Sequence, residues 1–333
     1  MGAGIFGLSI AWELARRGAA VRVVEAAAVG AGASGGLVGA LSPHVPEQWN
    51  AKKQFQLESL LMAADWWRGV ELASGLPSGY ARTGRLQPLA DDHAVDQAQA
   101  RATGAADLWQ GRAQWHVLRA TATAWEPITP SGWLVHDTLS ARLQPRMALQ
   151  CLVAALQAMG RAVETGTEPG DDTVIWATGL AGLLALGQGG GVKGQALSLH
   201  YSAPQMPQIF ADGLHIVPHA DGTVAIGSTS ERTWTDATST DAQLDGLLAK
   251  AVAICPLLSG APIIARWAGV RPKSASRAPI LGAWPGRPGH FVANGGFKIG
   301  FGMAPKVAEV MADLVLDGQD RVPEGFTLGP EHP

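Results

Sequence analysis

The sequence predicts an α/β fold in which a parallel sheet flanked by helices is joined to a second region built on antiparallel strands. Three observations carry this. A glycine-rich turn at the very start opens an apolar helix, Thr173-Val174-Ile175-Trp176 is an uncharged run ending at small residues, and from Val192 onward short alternating runs are separated by hairpin signals.

The first turn, Gly2-Ala3-Gly4-Ile5-Phe6-Gly7, has the G-x-G-x-x-G spacing. In that pattern the first glycine permits the tight turn, the second lets backbone approach a pyrophosphate, and the third lets helix and strand pack closely. Chance matches arise easily in a chain with 42 glycines, so the sequel matters. Ile5, Leu8, Ile10, Ala11, Leu14 and Ala15 form one apolar helix side, closed by Arg16-Arg17-Gly18. Ala20 to Glu25 then reads as a short buried strand ending in a carboxylate suited to ribose hydroxyls. Together these read as a Rossmann-type dinucleotide site. Such a turn normally follows a strand, yet only Met1 precedes Gly2, so the expectation is an apolar native strand upstream of Met1 or a gap in the sheet.

The tract Ala26 to Gly39 is small-residue rich, and Gly30 to Gly36 within it suits a phosphate or ribityl chain, or a solvent loop. A helix is expected from Trp49 to Leu72, a turn and strand over Thr83 to Leu89, and a polar helix over 91–106. Trp133 to His136 is a strand, and Pro145-Arg146 opens a helix from Met147 to Met159. Strands are expected over Gln195 to Tyr201, Leu214 to Pro218 and Val224 to Ser228, with Asp221-Gly222 as a turn. A helix over Asp241 to Ile254, strands over Ile263 to Val270 and Gly289 to Asn294, and a helix from Pro305 to Leu316 complete the chain.

At 333 residues the length favours about two domains. A net charge of -3 and a pI near 6.3 argue against nucleic acid as a partner. No apolar run approaches the ~18 residues of a membrane span. Cys151 and Cys255 lie in apolar stretches and read as buried free thiols, which points to a reducing, cytoplasmic setting. No metal-ligand spacing occurs in the sequence.

Several separated motifs now converge. Gly2 to Gly7 with Glu25, Ala33-Ser34 through Val38-Gly39-Ala40, Val174 to Gly179, Trp267-Ala268-Gly269-Val270-Arg271-Pro272 and Gly295 to Pro305 occur in one order along nearly the whole chain. This set resembles the FAD-dependent amino-acid and amine oxidase superfamily of D-amino-acid oxidase, sarcosine oxidase and, nearest, glycine oxidase. The resemblance implies a Rossmann-type FAD-binding domain with a parallel sheet, over 1–83, 138–193 and 283–333. It implies an α+β substrate domain on a mostly antiparallel sheet over 84–137 and 194–282.

The implied FAD contacts come from Gly2, Gly4, Ile5, Phe6, Gly7, Glu25 and Ala26 at the nucleotide end. Ala33, Ser34, Leu37, Val38 and Gly39 would run along the cofactor, with Ala177, Thr178 and Gly179 closing over its diphosphate side. Gly295, Gly296, Phe297, Lys298, Ile299 and Gly300 would face the ring, with a helix start at Met303 to Lys306 aiming its dipole there. With no cysteine between Gly295 and Pro305, the FAD is expected to be non-covalent.

Arg271 matches the arginine that holds a substrate carboxylate in this family. Against glycine oxidase, His215 stands in place of a tyrosine, Lys298 in place of an arginine, and Ala162 to Asp172 is short. The roles of His215 and Lys298 stay open, as a substrate hydrogen bond, a ring-side charge or ordinary structure. The implied reaction oxidises a small amino acid (glycine, sarcosine or a D-amino acid) by hydride transfer from Cα to flavin N5, giving an imine and then a keto acid plus ammonia or amine. The electron acceptor, oxygen or another molecule, and the oligomeric state are not fixed by the sequence. A flavin-dependent tRNA wobble-uridine demodification enzyme and a non-catalytic flavoprotein are the alternatives.

Overall fold

The computed structural model describes residues 1–170 and 173–328, so Asp171 and Asp172, at the end of the short Ala162 to Asp172 stretch, lie outside the described residues. The helix Ile5–Arg16 is buried along most of its length and packs on the C-terminal helix Gly300–Asp317. That second helix also packs on the long helix Ala51–Ser74, whose Asn50 cap accepts the Lys53 amide. Arg17 ties the two ends together. Its guanidinium bonds Glu13 at 2.7 Å and Asp313 at 2.6 Å.

Beneath these helices lie two parallel strand pairs. Val23–Glu25 pairs with Val163–Thr165, and Val174–Trp176 pairs with His290–Asn294, which in turn pairs antiparallel with Ile280–Ala283. Met1 and Gly2 join the two groups. The Gly2 amide donates to Val24 O (2.7 Å), Met1 N to Ile175 O (2.8 Å) and the Ala177 amide to Met1 O (2.8 Å).

The second region is an eight-stranded sheet. Its order is Ile263–Ser274, Gly189–His200, Thr223–Gly227, Leu214–Pro218, Gln208–Ala211, Arg85–Pro88, Trp133–Asp137 and Trp115–Arg119. Every neighbouring pair is antiparallel except Gln208–Ala211 with Arg85–Pro88. The helix Gln243–Ile254 covers a core of Leu197, Ile216 and Ile226 on one face, and the other face turns toward the parallel layer. Cys151 and Cys255 are free and buried, and burial pushes both thiols up, Cys255 to about 11. No described helix is long and apolar enough to cross a membrane.

Two readings need correction. The last helix starts at Gly300, not near Pro305, which sits inside it. Proline at a first helical position is the usual pattern, but here the Met303 amide already bonds Ile299 O at 3.0 Å. The strand expected over Gln195 to Tyr201 is longer, Gly189–His200. Its opening Gly189-Gly190-Gly191 hides the strand because glycine lacks side-chain pairing, whereas the ladder with Ile263–Ser274 runs through it residue by residue.

Candidate active site

A cavity of about 900 Å³ runs from the N-terminal turn to the antiparallel sheet. At its nucleotide end Gly2 has φ +98°, and a Cβ there would lie 2.4 Å from Ala177 O. Gly4 opens the first helix with extended backbone and no side-chain cap, and that helix has no acidic residue in its first turn. Its positive end is therefore free to meet an anion. The Ser34 hydroxyl stands beside it and accepts the Ile5 amide at 3.0 Å. Glu25 is aimed by two amides, accepting from Ala3 N at 2.7 Å and Ala27 N at 3.0 Å.

Most residues singled out in the sequence meet here. Gly2, Gly4, Ile5, Phe6, Glu25, Ala26, Ala33, Ser34, Leu37, Val38 and Gly39 line the cavity, as do Ala177, Thr178, Gly179, Gly295, Gly296, Phe297, Lys298 and Gly300, with His215 and Arg271. Gly7 and Ile299 do not. Gly7 serves packing: a Cβ there would sit 1.9 Å from Gly2 O. Ile299 precedes the last helix and bonds Gly296 O through its amide at 3.0 Å. The corrected helix start brings Gly300 and Phe301 to the cavity wall, a turn closer than the sequence reading placed the helix N-terminus.

Arg271 comes from Ile263–Ser274 and is only 9% exposed. Its Nη2 donates to Ser228 Oγ at 2.6 Å and its Nη1 to Thr229 O at 3.4 Å. Burial lowers its pKa to about 10, with Glu231 opposing, so it stays charged at neutral pH. Gly194, facing Gly269 on the paired strand, gives the guanidinium its seat. A Cβ on Gly194 would lie 2.0 to 2.3 Å from the Arg271 Nη2, Nη1 and Cζ atoms. Neither Gly194 nor Ser228 was singled out in the sequence. Gly194 falls inside a strand only once that strand is seen to begin at Gly189, where a glycine marks close approach by another group.

His215 lies opposite Phe210 in the ladder, with ring centroids 4.6 Å apart. Its Nδ1 is buried without a partner. Burial, and then the charges of Arg85 and Lys298, lower its pKa to about 3, so the imidazole is neutral. Lys298 lines the cavity and is solvent-exposed, with Nζ donating to Ser230 Oγ at 2.9 Å; partial burial and Arg271 lower its pKa.

A pH prediction follows from His215 and His219, the latter held near 4 by burial. The unfolded chain takes a proton on each ring near pH 6.5, which the folded chain refuses until about pH 3 and about pH 4. Between those limits the unfolded state binds more protons, so stability falls as pH drops below 6.5. Thermal melts from pH 7.5 to 4.5 should show a Tm falling with acid. His215→Asn with His219→Gln should flatten that slope; an unchanged slope would contradict this assignment.

A glycine turn on a helix start, an oriented carboxylate and a chamber holding a buried arginine define the class of a dinucleotide-dependent oxidoreductase. The chain belongs to the FAD dependent oxidoreductase (DAO) family, whose model matches residues 1–314. It is 34% identical over 141 residues to a glycine oxidase of Pseudomonas putida, covering 40% of this chain and 39% of that protein. It is 30% identical over 332 residues to a putative thiamine biosynthesis oxidoreductase ThiO of Rhizobium etli, covering 96% of each. Among solved structures, the Geobacillus kaustophilus glycine oxidase superposes with a TM-score of 0.86 at 22% identity, over 100% of this chain and 98% of that one. At that identity the likeness speaks for the fold. Several of the curated relatives, including that of Pseudomonas putida and the ThiO/ThiG proteins, are matched over about half of their length or less.

Proposed function

We propose that this protein oxidises a small amino acid at its Cα–N bond, with Arg271 holding the substrate carboxylate. The observation that carries the reading is a buried guanidinium facing the cavity whose hydrogen bonds go to Ser228 and Thr229 O, with no carboxylate partner among the described residues. A charge taken from water without a counter-ion is costly, and a substrate carboxylate would supply it.

The residues fit FAD: the Gly2 to Ser34 cradle has no room for further side chains beside Ala177 O, and one cavity continues from Glu25 to Gly300 and Arg271. When bound, non-covalent FAD supplies the two-electron acceptor. Glu25 would hold its ribose, and Ser34 with the first helix its diphosphate. The N-terminal amides of Gly300–Asp317, at Gly300 and Phe301, would face the ring and favour negative charge there.

In the substrate chamber, Arg271 binds and orients the carboxylate bidentately, and that orientation lowers the barrier by fixing the reacting Cα in place. Phe210, Trp267 and Val270 on the wall exclude water, which strengthens that ion pair. Neutral His215 lines the chamber wall and adds no charge to compete for the carboxylate. The proposed division assigns 1–83, 138–193 and 283–333 to cofactor and 84–137 with 194–282 to substrate. Incubating the FAD-loaded protein with glycine, sarcosine and D-alanine, in air and separately with an artificial electron acceptor, should release the matching 2-oxo acid. No release from any small amino acid with either acceptor would overturn the reading.

A further inference from the structure

Beyond its last residue, the strand Thr223–Gly227 carries one residue too many as the chain passes Arg271. Gly227 stands opposite Ala196 on Gly189–His200, and Glu231 stands opposite Lys193 on that same strand, so four steps of one chain match three of the other. The bulge closes where Glu231 and Lys193 exchange backbone bonds at 2.9 and 3.0 Å. A bulge re-aims a side chain. Here that side chain is Ser228, whose Oγ receives Arg271 Nη2 at 2.6 Å.

Three consecutive residues of Gly189–His200 serve both faces of the sheet. The ladder with Ile263–Ser274 is regular over Lys193, Gly194 and Gln195, so Gly194 belongs to one face and its two neighbours to the other. Gly194 seats the Arg271 guanidinium. On the opposite face Glu231 Oε1 accepts from Gln195 Nε2 at 3.1 Å and from Thr229 Oγ1 at 2.5 Å, with Oε2 3.8 Å from Lys193 Nζ. Thr229 Oγ1 also accepts the Gln195 amide at 2.8 Å, and the Thr229 amide donates back to Gln195 O at 3.1 Å. Lys193 and Gln195 are buried. Neither they nor Thr229 and Glu231 line the cavity.

We infer that Glu231 is a positioning residue for Arg271: its carboxylate pins the bulge at Thr229 and thereby holds the Ser228 hydroxyl against the guanidinium. This rests on the reading of Arg271 as the holder of the substrate carboxylate. Arg271 donates to Ser228 through Nη2 and to Thr229 O through Nη1, at 3.4 Å. Those two bonds fix the plane of the fork and leave its other N–H donors for the cavity. A fork already held in plane gives up little rotamer freedom when it takes a carboxylate. The negative charge of Glu231 also favours the charged form of Arg271.

The test uses the FAD-loaded full chain and reads FAD content, KM for the amino acid, and the Kd of acetate, an unreactive carboxylate, through the flavin spectrum. Glu231→Leu and Thr229→Val cut the same bond from its two ends. Each should raise KM and the acetate Kd by about 3- to 10-fold, the worth of one hydrogen bond, at unchanged FAD content. Glu231→Gln keeps an acceptor oxygen and should recover most of the loss. Ser228→Ala should cost as much alone, and adding Glu231→Leu or Thr229→Val to it should cost little more, because both act through that serine. Thr229→Val carries the test if Glu231→Leu does not fold. If Thr229→Val and any folded Glu231→Leu bind acetate as the parent does, while Arg271→Leu does not bind it, Glu231 serves only the fold. The inference is then wrong and the amino-acid reading stands. Effects that multiply with Ser228→Ala would overturn it as well, since the residues would then act separately. If Arg271→Leu leaves acetate binding unchanged and no amino acid reduces the flavin, both readings fall together.

Discussion

Arg271→Leu is expected to fold, bind FAD and lose at least about 30-fold in kcat/KM for carboxylate substrates, since truncating one partner of a buried charge pair costs about 2 to 5 kcal/mol. Leucine fills the space, so the core around Gly194 and Ser228 keeps its packing. Arg271→Lys should recover part of the loss, because charge survives and the bidentate fork does not. Gly194→Ala tests the seat separately. Its Cβ would collide with the guanidinium, so the arginine must shift while the strand ladder stays intact. KM should rise several-fold at unchanged FAD content. An unaltered KM in both Arg271→Leu and Gly194→Ala would remove the carboxylate clamp.

The second large effect is at the nucleotide end. Gly2→Ala is expected to cut FAD occupancy to less than a tenth. Two costs combine there: the positive φ of +98° and a Cβ 2.4 Å from the Ala177 carbonyl, which as backbone does not swing aside. Gly18→Ala isolates the first cost, because Gly18 has φ +93° with nothing within 4 Å of its Cβ. The strain alone costs about 1 to 3 kcal/mol and should lower Tm with little loss of FAD. Equal FAD content in Gly2→Ala and Gly18→Ala would show that the close approach at Ala177 is unimportant.

Much of the site was legible because it is written locally. Gly2 to Gly7, Glu25, Ala33-Ser34 and Ala177-Thr178-Gly179 are turns and helix starts whose geometry depends on neighbours in sequence, and all but Gly7 of the residues singled out there line the cavity. The rest depends on register between distant strands. Gly194 underlies Arg271 only because Gly189–His200 pairs with Ile263–Ser274, and Ser228 reaches it only because Thr223–Gly227 pairs on the other side of Gly189–His200. No window of sequence carries that. The Gly300 start was missed because Pro305 looks like a first-turn residue, whereas the helix tolerates it one turn further in.

The most direct test is an anaerobic titration of the FAD-loaded protein with a small amino acid, followed by the visible flavin band, in parallel with the corresponding simple amine. Loss of the band with the amino acid, not with the amine, and its suppression in Arg271→Leu, is the predicted result. Equal bleaching by amine and amino acid, or none by either, would contradict an Arg271-held carboxylate as the basis of this protein's chemistry.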